Sequence, residues 1–285
     1  MKTAIALVLA LGILALGARA QAALYAATSA GGPGELYIIN PANGAVITDV
    51  GPTNDGLSQN YPITGLAVNP INGLLYGSTG NAIAGTEARL VLINPATAQV
   101  TVVGSFNAGP TNTGGTPATM ADIAFDSAGN LFGVGSIGGP QLYSINTATG
   151  QATVIGSTGL TSTTGGGLAI GPGSVFNGTP TSTRFGTYDS GSGVYTNIAN
   201  PTKPVGGAYA ALAYDGGTLY GLDLGPGPGL ITHLVTIDPA TGAVTDLGQS
   251  VAALDSIAFT TIPEPATSAM LVLPGIIALT RTRRR

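Results

Sequence analysis

Apolar and polar residues alternate along much of the chain, and short polar turns interrupt the alternation. Ahead of one class of turn, two large apolar residues share a face of the period-two pattern, as in Tyr37/Ile39, Val91/Ile93, Tyr143/Ile145 and Val235/Ile237. Residues 100–103 and 152–155 follow such turns and are rich in β-branched side chains. Alternation and β-branching both favour strands. The pattern therefore predicts hairpins in an all-β chain.

Three landmarks recur five times in the same order, which identifies a repeat. The first is a turn that opens with Asn or Asp and mostly ends with Gly, at residues 40–44, 94–98, 146–150, 189–193 and 238–242. The second is an apolar triplet with Ala at its centre, at residues 66–68, 123–125, 168–170, 212–214 and 257–259. The third is Leu-Tyr-Gly or a looser copy, at residues 24–25, 75–77, 131–133, 175–176 and 219–221. Each unit reads as four strands, which is typical of a β-propeller blade.

The order of the landmarks predicts that the ring closes on itself. The first unit starts at Leu24 without the triplet strand, whereas residues 256–259 repeat that strand alone. A C-terminal strand that completes the first blade removes two sheet edges. We predict a five-bladed β-propeller over residues 24–259, closed in this way; a six-bladed ring with one degenerate blade is the alternative. The segment before Gly51 is one residue longer than its counterparts, which predicts a bulge in the first blade.

Connection lengths divide the blade ends into two faces. The turns after the first and third strands of each blade are short, and we call their end the short-turn face. Most other connections are longer, among them residues 51–60, 104–119 and 156–165. We call their end the long-loop face and expect binding there, because long loops on a rigid ring commonly carry function.

Four residues near the start of the innermost strands are candidates for binding a ligand or a metal ion. Asp122 and Asp255 begin two of these strands on the long-loop face, and Tyr61 and Tyr209 lie near equivalent positions. Such groups suit a calcium ion or a polar ligand over the central channel. The alternative is that they cap local backbone. His233, the only histidine, is interpreted as a surface residue at the start of a strand.

Charge and composition exclude several classes of function. Residues 24–262 contain three basic and twelve acidic residues, a net charge of −9, which disfavours nucleic acid as a partner. The chain has no Cys, so disulfides and thiol catalysis are excluded. No Ser-His pair, paired carboxylates or metal-ligand spacing stands out. We therefore predict no enzymatic activity and no resident cofactor other than the calcium considered above.

The N-terminus has the three parts of a secretory signal peptide. Lys2 precedes an apolar run over residues 4–16, which is followed by Ala18-Arg19-Ala20. The sequence Ala20-Gln21-Ala22 offers a second cleavage site. The run is shorter than the roughly 20 residues of a spanning helix, so we assign residues 1–22 to a cleaved signal peptide.

The C-terminus has a second three-part pattern after a short linker at residues 260–262. Pro263-Glu264-Pro265 precedes an apolar segment over residues 266–280, which we predict to be a short hydrophobic helix. A basic cluster ends the chain, with Arg281, Arg283, Arg284 and Arg285. By the positive-inside rule these arginines stay in the cytoplasm and stop transfer.

This tail, over residues 263–285, resembles the PEP-CTERM sorting signal of Gram-negative bacteria, and the body resembles the divergent propellers often found ahead of that signal. The resemblance implies that exosortase, a membrane protease and transpeptidase, recognises Pro263, Glu264 and Pro265 and processes the tail. It also implies export by a Sec-type signal, transient anchoring in the inner membrane, and release to the cell surface or extracellular matrix.

The function expected from the sequence is that of an exported, non-enzymatic propeller that binds glycan or protein, such as exopolysaccharide, through its long-loop face. Two alternatives stay open. One is a metal-dependent hydrolase or lactonase-like propeller with its metal over the channel. The other is a structural matrix component without a discrete ligand.

Overall fold

The computed structural model describes residues 22–29, 34–57, 59–81, 83–106, 119–135, 140–161, 166–227 and 230–260. These residues form 20 strands and one 3₁₀ turn, Pro172–Ser174, and they contain no α-helix. No helix within these ranges is long and apolar enough to cross a membrane. The predicted tail helix and almost all of the predicted signal peptide lie outside the described residues.

The strands group into five four-stranded antiparallel sheets. Blade 1 consists of β1 (Leu24–Thr28), β2 (Glu35–Ile39), β3 (Val46–Pro52) and β20 (Leu254–Phe259). Blade 2 consists of β4 (Ile63–Val68), β5 (Leu75–Thr79), β6 (Arg89–Ile93) and β7 (Val100–Ser105). Blade 3 consists of β8 (Met120–Phe125), β9 (Leu131–Gly135), β10 (Gln141–Ile145) and β11 (Ala152–Ser157). Blade 4 consists of β12 (Gly167–Gly171), β13 (Val175–Thr181), β14 (Arg184–Tyr188) and β15 (Tyr195–Ala199), and blade 5 of β16 (Ala208–Asp215), β17 (Thr218–Leu224), β18 (Thr232–Ile237) and β19 (Val244–Gln249).

The ring closes by the C-terminal strand, as predicted. β20 pairs antiparallel with β1, from Leu24 opposite Phe259 to Ala27 opposite Ser256. The first blade therefore has its four strands in the order β20-β1-β2-β3, and five blades are confirmed. Closure gives β1 a partner on both sides, and β20 takes the innermost position of its blade.

The apolar triplets form the wall of the central channel. All fifteen triplet residues line one cavity of about 110 Å³ at the ring centre. Phe259 lies there with Val68, Phe125, Ile170 and Tyr214, each of which precedes a short turn or connection. The last strand therefore ends at the short-turn face, as the strand order predicted.

Aromatic side chains join neighbouring blades beside this cavity. The ring centroids of Tyr76 and Phe125 are 5.3 Å apart, and those of Tyr220 and Phe259 are 4.9 Å apart. At the position of Tyr76 and Tyr220, blade 4 has Asn177. The Oδ1 atom of Asn177 accepts a hydrogen bond of 2.8 Å from the Tyr214 hydroxyl of blade 5. Blades 2, 4 and 5 thus each contact the next blade through the side chain at this position.

The outer strands end beside the next blade, where only glycine fits. A Cβ on Gly104 would lie 1.9 Å from the backbone oxygen of Thr149 in the following blade, and one on Gly156 equally close to that of Ser192. The connection that follows blade 1 passes this outer rim, where Asn54 O accepts from Val100 N of blade 2 at 2.7 Å. The prediction that residues 51–60 lie wholly on the long-loop face is therefore wrong. The twist accumulated over four strands turns the outer strand across the ring.

The bulge predicted in the first blade is present and belongs to a wider pattern. The pairing between β2 and β3 is interrupted twice, once where Val50 has no partner and once where Ile47 has none. The equivalent outer strands each have one displaced residue, namely Val103, Ile155, Ile198 and Leu247. The extra residue of blade 1 is therefore Ile47, whose side chain is 62% exposed.

Candidate functional site at the mouth of the central channel

Bulges surround the channel at the long-loop end of the inner strands, which we call the channel mouth. Thr64, Ala121, Ala210 and Asp255 are each displaced from the pairing of their inner strand with the second strand. Because a bulge redirects the side chains around it, bulges are common next to functional sites. Here they occur at equivalent positions in four blades.

Hydrogen bonds between blades tie the channel mouth together. The bonds run from Ser256 Oγ to Ile63 O at 3.3 Å, from Thr64 Oγ1 to Met120 O at 2.7 Å, and from Gly166 N to Tyr209 O at 3.2 Å. Each donor belongs to one blade, and each acceptor is the backbone oxygen just before the bulge in the next blade. These three bonds join neighbouring blades through neutral groups.

Asp122 joins three blades through its carboxylate. The side chain is fully buried. Its Oδ1 accepts from Ile123 N at 2.9 Å, and its Oδ2 accepts from Leu168 N at 2.9 Å and from Leu212 N at 3.2 Å. These three amides belong to the inner strands of blades 3, 4 and 5. The observed contacts of Asp122 are thus those of a backbone cap, the alternative considered from the sequence.

Opposing effects set the acidity of Asp122. Burial raises the pKa of this carboxyl group well above its usual value, because the charged form loses its water. The three amide donors lower the pKa, and the nearby Asp255 carboxylate raises it further. Asp122 and Asp255 therefore share one electrostatic environment at the mouth.

Asp255 lies in a different setting, on the bulge of the closing strand. Its side chain is half-buried. Burial raises the pKa of Asp255 to about 7, and a hydrogen bond with the Ser29 side chain partly opposes this. Across the same bulge, the buried hydroxyl of Thr28 has no hydrogen-bond partner within the described structure. The polar groups around Asp255 therefore have fewer hydrogen bonds than those around Asp122.

The two candidate tyrosines lie in the core. Tyr209 is fully buried, and its hydroxyl donates to Thr202 O at 2.5 Å. Tyr61 is 6% exposed, and its backbone oxygen accepts from Thr53 Oγ1 at 2.7 Å. Burial raises the pKa of both phenols, so they stay protonated at neutral pH. Their described contacts are structural, and a ligand role for them stays a prediction.

A second polar cluster, in blade 5, escaped the sequence analysis. His233 Nδ1 lies 3.0 and 2.9 Å from the two carboxylate oxygens of Asp246, and the imidazole is 19% exposed. Asp246 faces Val235 across the β18–β19 hairpin, so it is a diagonal neighbour of His233. The hairpin register, which follows from the turn at residues 238–242, was the signal that could have revealed this pair.

Asp223 extends the blade 5 cluster inward. It is fully buried opposite His233, and its Oδ2 accepts from Val205 N at 2.9 Å. Burial raises the pKa of Asp223, whereas the Val205 amide and the charges of Lys203 and His233 lower it. Its Oδ1 has no partner in the described part of the chain. Asp223 thus anchors the connection that leads from blade 4 into blade 5.

Neither polar cluster forms a metal centre in the described residues. No group of three or more His, Cys, Asp or Glu side chains converges there in a way that could hold a metal ion. At the mouth, the Asp122 oxygens already accept from three amides. Calcium at Asp122 and Asp255 therefore stays a prediction without a ligand set around it.

Two equivalent surface grooves occur at the short-turn ends of blades 2 and 3. The groove of blade 2, about 390 Å³, includes Gln99 and Thr101, and that of blade 3, about 440 Å³, includes Gln151 and Thr153. Ala45, Val194 and Ala243 replace the glutamine in the other blades. These grooves were not predicted, because they depend on how the outer strands twist past the turns.

Comparisons with known proteins give a distant likeness only. Neither a protein-family model nor a curated protein matches the sequence. Among solved structures, the chain is similar to a protein of unknown function from Bacteroides caccae, with 10% identity over 84% of this chain and 98% of that chain and a TM-score of 0.47. It is also similar to TolB from Acinetobacter baumannii, with 17% identity over 79% of this chain and 52% of that chain and a TM-score of 0.41. Both likenesses are too distant to indicate function, and the five-bladed architecture follows from the strand pairing of the chain itself.

Proposed function

We propose that this protein is an exported, non-enzymatic β-propeller that a C-terminal PEP-CTERM signal directs to the cell surface or the extracellular polysaccharide matrix. There its long-loop face binds glycan or protein. Exosortase is the processing partner in this proposal, and the inner membrane holds the protein only until the tail is processed.

The position of the ring between the two signals carries the proposal. β1 begins at Leu24, directly after the signal peptide assigned to residues 1–22, and β20 ends at Phe259, shortly before Pro263. Because these two strands pair with each other, the folded domain uses the whole stretch between the signals. A closed ring of this kind can be exported and released without losing part of its fold.

The position at which the chain leaves the ring supports binding at the long-loop face. The chain leaves the ring at Phe259, on the short-turn face. The long-loop face therefore points away from the exit of the chain and stays accessible before processing. The mouth on that face is occupied by Asp122 and its three amides, so a ligand would meet the loops around the mouth.

The sorting step is tested by mass spectrometry of the mature C-terminus in cells with and without exosortase. We expect a shortened C-terminus only in cells that contain the enzyme, and none for Glu264→Ala. Glu87→Ala, a change of the same type inside the ring, is the matched control and should be processed normally. A tail that ends at Arg285 in both kinds of cell would disprove the sorting proposal.

The ligand class is tested separately with a glycan array and elemental analysis of the purified protein. Glycan binding that survives Gln151→Ala, a change in a short-turn groove, supports binding at the long-loop face. Loss of binding in this variant would mean that the glycan binds at the short-turn face, against the proposal. Absence of both a ligand and a metal would favour a structural matrix component. A tightly bound calcium that Asp122→Ala or Asp255→Ala removes would favour the metal-dependent hydrolase.

A further inference from the structure

The three amides that bind Asp122 occupy equivalent places in the repeat. Ile123, Leu168 and Leu212 are each the first residue of an apolar triplet, and each faces a glycine of the second strand, namely Gly133, Gly178 and Gly221. Their N–H groups donate to a side chain in the channel mouth instead of to the second strand. At this register, the backbone of an inner strand therefore directs its N–H toward the ring axis.

The other two blades repeat this register. Leu66 lies opposite Gly77 in blade 2, and Ile257 lies opposite Ala26 in blade 1. In an antiparallel pair, residues of a non-hydrogen-bonded position turn both backbone groups away from the partner strand. The N–H groups of Leu66 and Ile257 should therefore point to the same axis, which gives five equivalent donors around the channel.

Converging backbone N–H groups form a site for an anion, because they offer partial positive charge without any cationic side chain. A carboxylate has two oxygens with four acceptor positions, and it suits several donors that surround one point. We infer that the channel mouth is a carboxylate-binding ring of backbone amides, with Asp122 as its built-in ligand. The chemistry of the ring selects a small carboxylate, since a cation would face donors.

The built-in ligand can be replaced by a free one. Asp122→Ala removes the carboxylate and leaves a space of about its size inside the ring, and formate is the carboxylate that fits this space. We expect sodium formate to raise the Tm of Asp122→Ala saturably, by about 3 °C or more, because a ligand that binds only the folded state stabilises it. The full chain is compared in sodium formate and in sodium chloride of equal ionic strength at pH 7.

Matched variants separate specific binding from a general salt effect. Asp126→Ala removes a carboxylate that accepts only from Ala128 N and Asn130 N of its own turn and from the Asn130 side chain. It should show no response to formate beyond that of the natural sequence. Asp255→Asn, added to Asp122→Ala, removes a neighbouring negative charge and should lower the formate concentration needed for half of the effect several-fold. An equal response of the natural sequence, Asp126→Ala and Asp122→Ala to formate would overturn the inference.

A measurement on the natural sequence covers the case in which Asp122→Ala does not fold. By amide hydrogen exchange, the N–H groups of Leu168 and Leu212 should exchange at least tenfold more slowly than those of Leu66 and Ile257. Asp122→Asn retains the size of the side chain but supplies only one acceptor oxygen, so it should reduce this difference. Equal exchange at all four amides in the natural sequence would contradict the ring.

Discussion

Asp122 and Asp255 both begin an inner strand at the channel mouth, one residue apart in the repeat, and their surroundings are opposite. Asp255 occupies the bulge, is half-buried, and has a hydrogen bond with Ser29. Asp122 follows the bulge of its strand, is fully buried, and accepts from amides of three blades. In a closed ring, one step relative to a bulge thus decides whether a carboxylate joins blades or lies at the rim. Three substitutions test this comparison.

Asp122→Ala should have the largest effect. The change leaves three buried amides without an acceptor, and each unsatisfied donor costs about 1–3 kcal/mol. Burial of the carboxylate already offsets part of its benefit, so we expect the free energy of unfolding to fall by about 3 kcal/mol. Urea denaturation measures this loss. The control is Asp126→Ala, which removes a carboxylate that accepts only local bonds, from Ala128 N and from the backbone and side chain of Asn130. This variant should lose about 1 kcal/mol. Equal losses in the two variants would mean that Asp122 does not join the blades.

Asp255→Asn should have an intermediate effect that depends on pH. Burial raises the pKa of Asp255 from its ordinary value of 3.8 to about 7 in the folded state, so the folded state favours the protonated form. Stability linked to Asp255 is therefore fully present below about pH 4 and is lost as pH rises toward 7. Each pKa unit corresponds to about 1.4 kcal/mol, and partial exposure reduces the sum to about 2 kcal/mol.

The variant should therefore be more stable than the natural sequence at pH 8 by about 2 kcal/mol and equal to it at pH 4. Denaturation curves at both pH values provide the measurement. If the two proteins differ by the same amount at pH 4 and pH 8, Asp255 does not carry this dependence. The difference between the two carboxylates would then rest on the hydrogen bonds of Asp122 alone.

Thr64→Val should have the smallest effect. Thr64 occupies the same bulge position in blade 2 as Asp255 does in blade 1, and its hydroxyl donates to Met120 O of blade 3 at 2.7 Å. Valine keeps the shape but removes this bond and the longer contacts of the hydroxyl, both 3.2 Å, with the Ser78 oxygens. The loss of these neutral hydrogen bonds should cost about 1 kcal/mol. Thr101→Val on an exposed outer strand is the control and should change stability by less than about 0.5 kcal/mol. A loss above that of Asp122→Ala would place the main inter-blade contact at the bulge instead of at the carboxylate.

The fold could be predicted from the sequence because the repeat contains the same strand pattern five times. Five copies of each landmark defined the strands, and the unmatched strand at residues 256–259 predicted how β20 would close the ring. Such periodic signals depend on residues close together in the chain. The position of Phe259 on the short-turn face followed from the same strand order.

The candidate site followed only in part. Asp122 and Asp255 were identified as residues of the channel mouth, but the partners of Asp122 are 46 and 90 residues away in sequence. The pair formed by His233 and Asp246 was missed, although both belong to one hairpin. The path of residues 51–60 along the outer rim was predicted wrongly, because connection length does not report the twist of a blade.

The sequence by itself determined the number of blades, the order of the strands, the closing strand and the two terminal signals that we propose for export and sorting. Local patterns of alternation, turn residues and motif order indicate these features. The tertiary structure alone decided which carboxylate meets amides of other blades, which tyrosines enter the core and where the outer strands end. Those outcomes depend on ring closure, which brings distant backbone groups to one axis, and on bulges and accumulated twist, which shift side chains by distances that no local pattern encodes.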